Sequence, residues 1–219
     1  MKLTYFNVKG LAETSRILLA IADIEYEDYR YPLDIVDFKT HNMVKKEFDE
    51  DKASGKLTKS LGKVPFLEVD GKIIPQSKSI ERYIAKRGNM MGSNEIESAQ
   101  IDSICESVRD IKDAYKAVKR LPENEKEDGL KCWFKDQLVQ RVTLLENSIN
   151  DNTSNKHSVG NVLSLSDVVI YTFVCEFFDD KESVKLAISN SPRLCNIVDN
   201  VSNQPGVISW LKNRPNTAF

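Results

Sequence analysis

At 219 residues, with 41% hydrophobic and 29% charged side chains, the chain is long enough for a substantial core, built as one large domain or two small ones, and too apolar for intrinsic disorder. A formal net charge of −2, from 31 basic and 33 acidic residues, excludes a global field that would draw nucleic acid or an anionic membrane surface. The four cysteines, Cys105, Cys132, Cys175 and Cys195, have no paired spacing of the zinc or redox-dithiol kind, which points to a reduced, cytoplasmic compartment.

From the N-terminus, Lys2 to Asn7 alternates apolar and polar residues and reads as a first strand that brings Tyr5 near its end. Leu11 to Ala22 carries Leu11, Ile17, Leu18 and Ile21 at helical spacing, and Tyr26 to Tyr31 returns as a strand. A strand–helix–strand unit of this kind makes the two strands parallel with a right-handed crossover. Pro32 to Lys63 reads as a helix followed by a polar surface loop over Asp49 to Lys59. Phe66 to Val69, the Asp70-Gly71 turn and Lys72 to Ile74 then form a hairpin entered through Pro65, and Gln76-Ser77 opens an amphipathic helix in which Ser77 either caps or begins the first turn. The resulting order, β-α-β-α-β-β-α, is a thioredoxin-like arrangement.

The breaker-rich run Gly88 to Ser93 marks a linker, so the domains are expected at 1–87 and 94–219. Beyond it the chain is helical. Ile101, Ile104, Val108, Ile111, Tyr115 and Val118 form one apolar stripe, and Leu130 to Ile149 forms a second long helix. Ser164-Leu165-Ser166-Asp167 is a capping-box pattern ahead of a helix apolar nearly all round, a cap worth about 0.5–2 kcal/mol. Shorter helices follow at 181–189, 191–202 and 205–212. The N-terminus has no basic segment leading into an apolar run, and Val168 to Phe178 is too short to span a bilayer and is broken by Glu176, so a soluble protein without a leader is expected.

Two features around the hairpin suit a ligand. A cis bond at Pro65 would turn the N–H and C=O of Val64 outward, free to pair with something peptide-like. The helix start after Gln76 offers unpaired N–H groups and a positive dipole end to a carboxylate, with the Ser77 hydroxyl as a further donor. Ordinary structure explains the same residues as a rigid turn and a cap.

The stretches VPFLEVDG, then QS before an amphipathic helix, and the opening KLTYFNVKGLAE resemble the cytosolic glutathione transferases, and in particular their sigma class, which includes the haematopoietic prostaglandin D synthases. The resemblance covers nearly the whole chain. It implies a thioredoxin-like domain that binds glutathione and an all-helical domain that walls a second-substrate site, in a cytoplasmic homodimer with glutathione as cosubstrate and no metal or redox cofactor. It makes Tyr5 the catalytic residue. A hydroxyl that donates to the ligand's thiolate is worth about 1.5–3 kcal/mol and lowers a thiol pKa by about 1–2 units, enough to create a nucleophile near neutral pH.

By the same resemblance Lys63, Val64 and Pro65 flank the cysteinyl backbone of glutathione, and Gln76 and Ser77 hold its γ-glutamyl end. Phe38 stands where sigma relatives carry a tryptophan over the glycyl end, with Lys45 a partner for the glycyl carboxylate. Glu106 or Asp110 would reach the γ-glutamyl amine of the neighbouring subunit, although the spacing of Asp102, Glu106, Asp110 and Asp113 also fits a solvated acidic face. Phe6, Val8, Gly10, Leu11 and Lys112 would line the second-substrate pocket. Leu11 replaces an arginine of the prostaglandin synthases, and Lys112 and Ala117 replace a methionine and a tryptophan of theirs, which favours conjugation of small electrophiles over isomerisation of a fatty endoperoxide.

Three other readings stay open. A glutathione-dependent isomerase shares the thiol site. A non-catalytic, crystallin-like relative would show a damaged one, whereas Tyr5, Gln76 and Ser77 are all present. A thioredoxin-type oxidoreductase needs a cysteine near the first helix, and residues 1–30 have none. His41 and His157 lie far apart in polar stretches and give little support to a serine–histidine–aspartate triad.

Overall fold

The computed structural model describes residues 1–37, 42–149 and 152–217, with backbone alone for Ile35, Val36, Asp37 and Asn42. Phe38 and His41 lie outside the described residues. The chain divides into two compact units, one of Met1–Gly88 with Ser209–Phe219, the other of Asn89–Ile208.

In the first unit β1 (Lys2–Phe6), α1 (Glu13–Ile21) and β2 (Glu27–Tyr31) make the crossover expected of the sequence, with β1 and β2 parallel. The hairpin of β5 (Phe66–Val69) and β6 (Lys72–Pro75) adds antiparallel to β1, giving a sheet ordered β2-β1-β5-β6. Asp70 and Gly71 both adopt positive φ at the turn, as a two-residue hairpin connection requires. α3 (Ser77–Arg87) packs against α1, and Leu3, Ile17, Leu18, Leu67, Ile80 and Ile84 are fully buried. Six such side chains, at roughly 1.5–3 kcal/mol each, dominate the stability of this small unit.

The segment after Pro32 departs from the sequence reading. It opens with a two-stranded antiparallel ribbon, β3 (Asp34–Asp37) and β4 (Asn42–Val44), before α2 (Lys46–Ala53). The expected surface loop is also partly structural: Asp49 to Ala53 is helical, and Leu57 is buried beside Tyr31 and Phe48 in an apolar cluster joined by Phe6, Tyr29, Val64 and Phe66. The polar composition misled because one well-placed leucine anchors the stretch. The Tyr29 hydroxyl donates to Glu47, and the Tyr31 hydroxyl donates to Asp51 at 2.7 Å, which pins α2 to the end of β2.

The second unit is helical. α4 (Glu95–Lys119) is capped by Asn94, whose side chain accepts from the N–H groups of Ile96 and Glu97, each at 3.0 Å. Its apolar stripe is buried from Ile101 to Tyr115. The next helix starts seven residues before the expected Leu130. α5 (Glu123–Cys132) runs through one π-helical turn, Trp133–Gln137, into α6 (Leu138–Ser148). The extra residue of that turn directs two consecutive aromatic rings inward, Trp133 at 5.4 Å and Phe134 at 5.8 Å from the Tyr115 ring. α7 (Leu165–Cys175) is buried along ten of its eleven residues. α8 (Lys181–Ile188), α9 (Pro192–Ser202) and α10 (Pro205–Asn213) fall where the sequence places them, and α10 carries the chain back into the first unit.

Candidate active site

Strand register gathers the candidates of the first unit. Thr4 of β1 stands opposite Phe66, and Phe66 stands opposite Pro75, so Tyr5, the Val64–Pro65 peptide and Gln76-Ser77 all lie at one end of the sheet. The Val64–Pro65 bond is cis. Pro65 is buried, Val64 half-buried and Lys63 exposed.

Ser77 begins α3 rather than capping it. The cap position belongs to Gln76, which holds φ at +72° and makes no side-chain cap bond. A non-glycine residue in that region carries backbone strain. The arrangement leaves the first N–H groups of α3 without a side-chain acceptor, and among the described residues the Ser77 hydroxyl has no partner either. Together they present donors and a positive helix end to an anion.

Tyr5 is nearly buried, at 8% exposure. Its hydroxyl oxygen accepts the Leu11 N–H at 3.2 Å, while no described residue accepts the hydroxyl proton. The hydroxyl therefore keeps a donor to offer a ligand. Burial pushes its pKa up, partly offset by the Leu11 N–H and the nearby Arg16 charge, so the group stays protonated through the neutral range and would cease to donate only in strong alkali.

Gly10 explains how the loop comes so close. Its φ is +43°, and a Cβ at this position would stand 2.7 Å from the Tyr5 hydroxyl oxygen and 3.0 Å from the ring. Replacing Gly10 with Ala should cost roughly 1–2 kcal/mol from the left-handed backbone alone, besides displacing the hydroxyl. A urea titration of Gly10→Ala with an unshifted midpoint would show that the loop relaxes freely.

The remaining candidates are more dispersed. Phe6 packs its ring 5.1 Å from Phe48 and 6.3 Å from Tyr31, within the apolar cluster of the first unit. Val8 is buried, whereas Leu11 is 53% exposed. Lys45 pairs with Asp49 at 2.5 Å and lies over the Phe48 ring. In the second unit Glu106 pairs with Arg109 at 2.6 Å, Asp110 is exposed, and the Lys112 ammonium lies 5.2 Å from the Phe177 ring centre.

One cluster was not legible as such. Asp167, fully buried, accepts from the Ser158 N–H at 2.7 Å, the Ser158 hydroxyl at 2.6 Å, the Ser164 N–H at 2.9 Å and the Ser164 hydroxyl at 3.0 Å. His157 Nδ1 lies 3.5 Å from the same carboxylate without a hydrogen bond. Serine, histidine and aspartate thus meet, but the serines bond to the aspartate and to Ser166, are at most 3% exposed, and have no base to activate them. The cluster is a reinforced capping box. Nor is Cys175 a thiolate nucleophile, since burial pushes its pKa up to about 11.

Among the described residues no group of three His, Cys, Asp or Glu side chains is placed to hold a metal ion, and no helix is long and apolar enough to cross a membrane.

Comparison with known proteins agrees with this fold. Residues 1–86 match the family model of the glutathione S-transferase N-terminal domain and residues 109–214 that of the C-terminal domain. The hematopoietic prostaglandin D synthase of Gallus gallus is 33% identical over 100% of this chain and 98% of its own. Glutathione S-transferase 3 of Caenorhabditis elegans is 30% identical over the same shares of the two chains. Among solved structures, the monomeric glutathione S-transferase Na-GST-3 of the hookworm Necator americanus superposes with a TM-score of 0.78 at 25% identity, covering 100% of this chain and 98% of that one.

Proposed function

The chain belongs to the glutathione S-transferase family, and from that premise we propose that it conjugates the thiolate of glutathione to small electrophiles, with the Tyr5 hydroxyl stabilising the thiolate. The observation that carries this reading is the state of Tyr5: protonated, fixed by the Leu11 N–H, and with its own proton uncommitted. In the reaction the thiol proton leaves to solvent, the sulfur lone pair attacks the electrophilic carbon, an S–C bond forms, and a leaving group such as halide departs with its electron pair. Tyr5 keeps its proton throughout and contributes through a charge-assisted hydrogen bond.

The uncapped start of α3, with Gln76 and Ser77, would take the γ-glutamyl carboxylate, and Lys63, Val64 and Pro65 the cysteinyl backbone. Lys45 would serve the glycyl carboxylate only by giving up Asp49, and an exposed i,i+4 pair of that kind holds it by less than about 1 kcal/mol. A side-by-side assay with an aromatic halide and a prostaglandin endoperoxide should give measurable conjugation and weak or absent isomerisation. Lys112 stands where an apolar side chain would grip a fatty substrate, and burying such a contact is worth about 2–3 kcal/mol. Efficient isomerisation with negligible conjugation would overturn the choice.

The cytoplasm as compartment, sigma class and a two-fold dimer complete the proposal. Glu106 or Asp110 of one subunit would face the other's γ-glutamyl amine. Glu106 is the better placed to stay ordered, since Arg109 holds it at 2.6 Å. Light scattering at micromolar concentration should give twice the chain mass, with activity falling on dilution. A monomer of full activity, the state named for the hookworm structure, would rule the shared site out.

A further inference from the structure

Arg16 is fully buried, yet its charge is engaged on several sides. Nη1 donates to the Val8 carbonyl at 2.7 Å and the Lys9 carbonyl at 3.4 Å, Nε donates to Asp28 Oδ1 at 3.2 Å, and Glu13 Oε2 lies 3.5 Å from Nη1. A cation held this deep persists only when paired and hydrogen-bonded. The two carbonyls it grips belong to the residues just before Gly10 and Leu11, and the Leu11 N–H is the group that fixes the Tyr5 hydroxyl. Arg16 therefore ties down the loop that orients the tyrosine.

Glu13, one turn before Arg16 on α1, is itself 2% exposed and is held from the far end of the chain. Its Oε1 accepts from Trp210 Nε1 at 2.8 Å, across 197 positions of sequence, and from Arg214 Nη1 at 2.7 Å. Trp210, Arg214, Glu13, Arg16 and Tyr5 all belong to the first unit.

We infer that Arg16 is a positioning residue for Tyr5, and that Trp210 and Arg214, by holding Glu13 against Arg16, couple the C-terminal segment to the loop that aims the tyrosine hydroxyl. The inference rests on Tyr5 being the thiolate donor. A hydroxyl that accepts one directed N–H sends its proton elsewhere, toward the ligand sulfur; released from that N–H it rotates, and hydrogen bonds weaken steeply with misalignment. The charges around it are Arg16, with Glu13, Asp28, Arg30 and Arg214 behind, so disturbing Glu13 also changes the balance of the one cation nearest the hydroxyl.

The test uses the full chain with Trp210→Phe, which removes the indole N–H donor and keeps a smaller aromatic ring, with Arg214→Gln, and with both, and follows the bound glutathione thiol by its ultraviolet thiolate absorption against pH. The bound thiol pKa should rise by about 0.5–1 unit and kcat should fall roughly three- to tenfold below that pKa, the equivalent of the same shift. The KM for glutathione should stay within about twofold, because the groups touching its backbone are untouched. Arg214→Lys should recover part of the loss, and in a Tyr5→Phe background the double change should add nothing. If the double variant fails to fold, Trp210→Phe and Arg214→Gln singly carry the same expectation. A folded variant with the wild-type thiol titration, whether or not kcat falls, overturns the inference. If Tyr5→Phe moves the titration and these variants do not, the inference fails alone; if Tyr5→Phe leaves it unmoved, the reading of Tyr5 fails and this inference with it.

Discussion

Replacing Tyr5 with Phe should lower turnover roughly 10- to 100-fold near neutral pH while glutathione still binds. The lost interaction is one hydrogen bond to a charged sulfur, worth about 1.5–3 kcal/mol, and each 1.36 kcal/mol is a factor of ten in rate or equilibrium. The loss should shrink as pH rises, because above the shifted thiol pKa the thiolate forms without help, whereas the wild-type hydroxyl remains protonated there on account of its burial. The fold should survive: the ring keeps its contact with Phe6, and the Leu11 N–H loses an acceptor at the edge of a loop whose residue 11 is exposed to water. The check is a pH–rate profile for kcat/KM. A variant that conjugates at the wild-type rate across the neutral range would remove Tyr5 from the mechanism.

Asp167→Ala should be the most destabilising single change, and by more than a helix cap is worth. The sequence pattern implies about 0.5–2 kcal/mol, but four donors converge on this carboxylate, all in a buried site. Removing the acceptor strands at least two backbone N–H groups, those of Ser158 and Ser164, at about 1–3 kcal/mol each. A loss of roughly 3–5 kcal/mol follows, comparable to breaking a buried charged network. Ser164→Ala, which removes one donor and leaves the carboxylate satisfied by the others, should cost closer to 1 kcal/mol. Denaturant unfolding of the two variants measures the ratio directly. Equal, small losses would show that Asp167 acts only as a cap, and normal stability with lost conjugation would mark it as a site residue.

What the sequence determined by itself was the class of the fold and the local chemistry. Alternating residues in Lys2 to Asn7, the Asp70-Gly71 turn and the stripe from Ile101 to Tyr115 are local patterns with periods of two and 3.6, and local patterns survive in any fold that buries one face. The capping box at Ser164 was legible for the same reason, because short polar side chains act on their immediate backbone, whereas the sequence allowed a cis bond at Pro65 without deciding it. Tertiary structure decided what depends on partners distant in sequence. The ribbon of β3 and β4 is held by pairing rather than by pattern, Leu57 turns a polar stretch into part of a core, and the helix expected from Leu130 begins at Glu123 and contains a π turn. Only the folded chain brings Arg16 under the Val8 and Lys9 carbonyls and Trp210 onto Glu13, because burying a guanidinium requires partners that no single stretch of sequence supplies. Sequence thus offered Tyr5 as a candidate, and packing determined what its hydroxyl accepts.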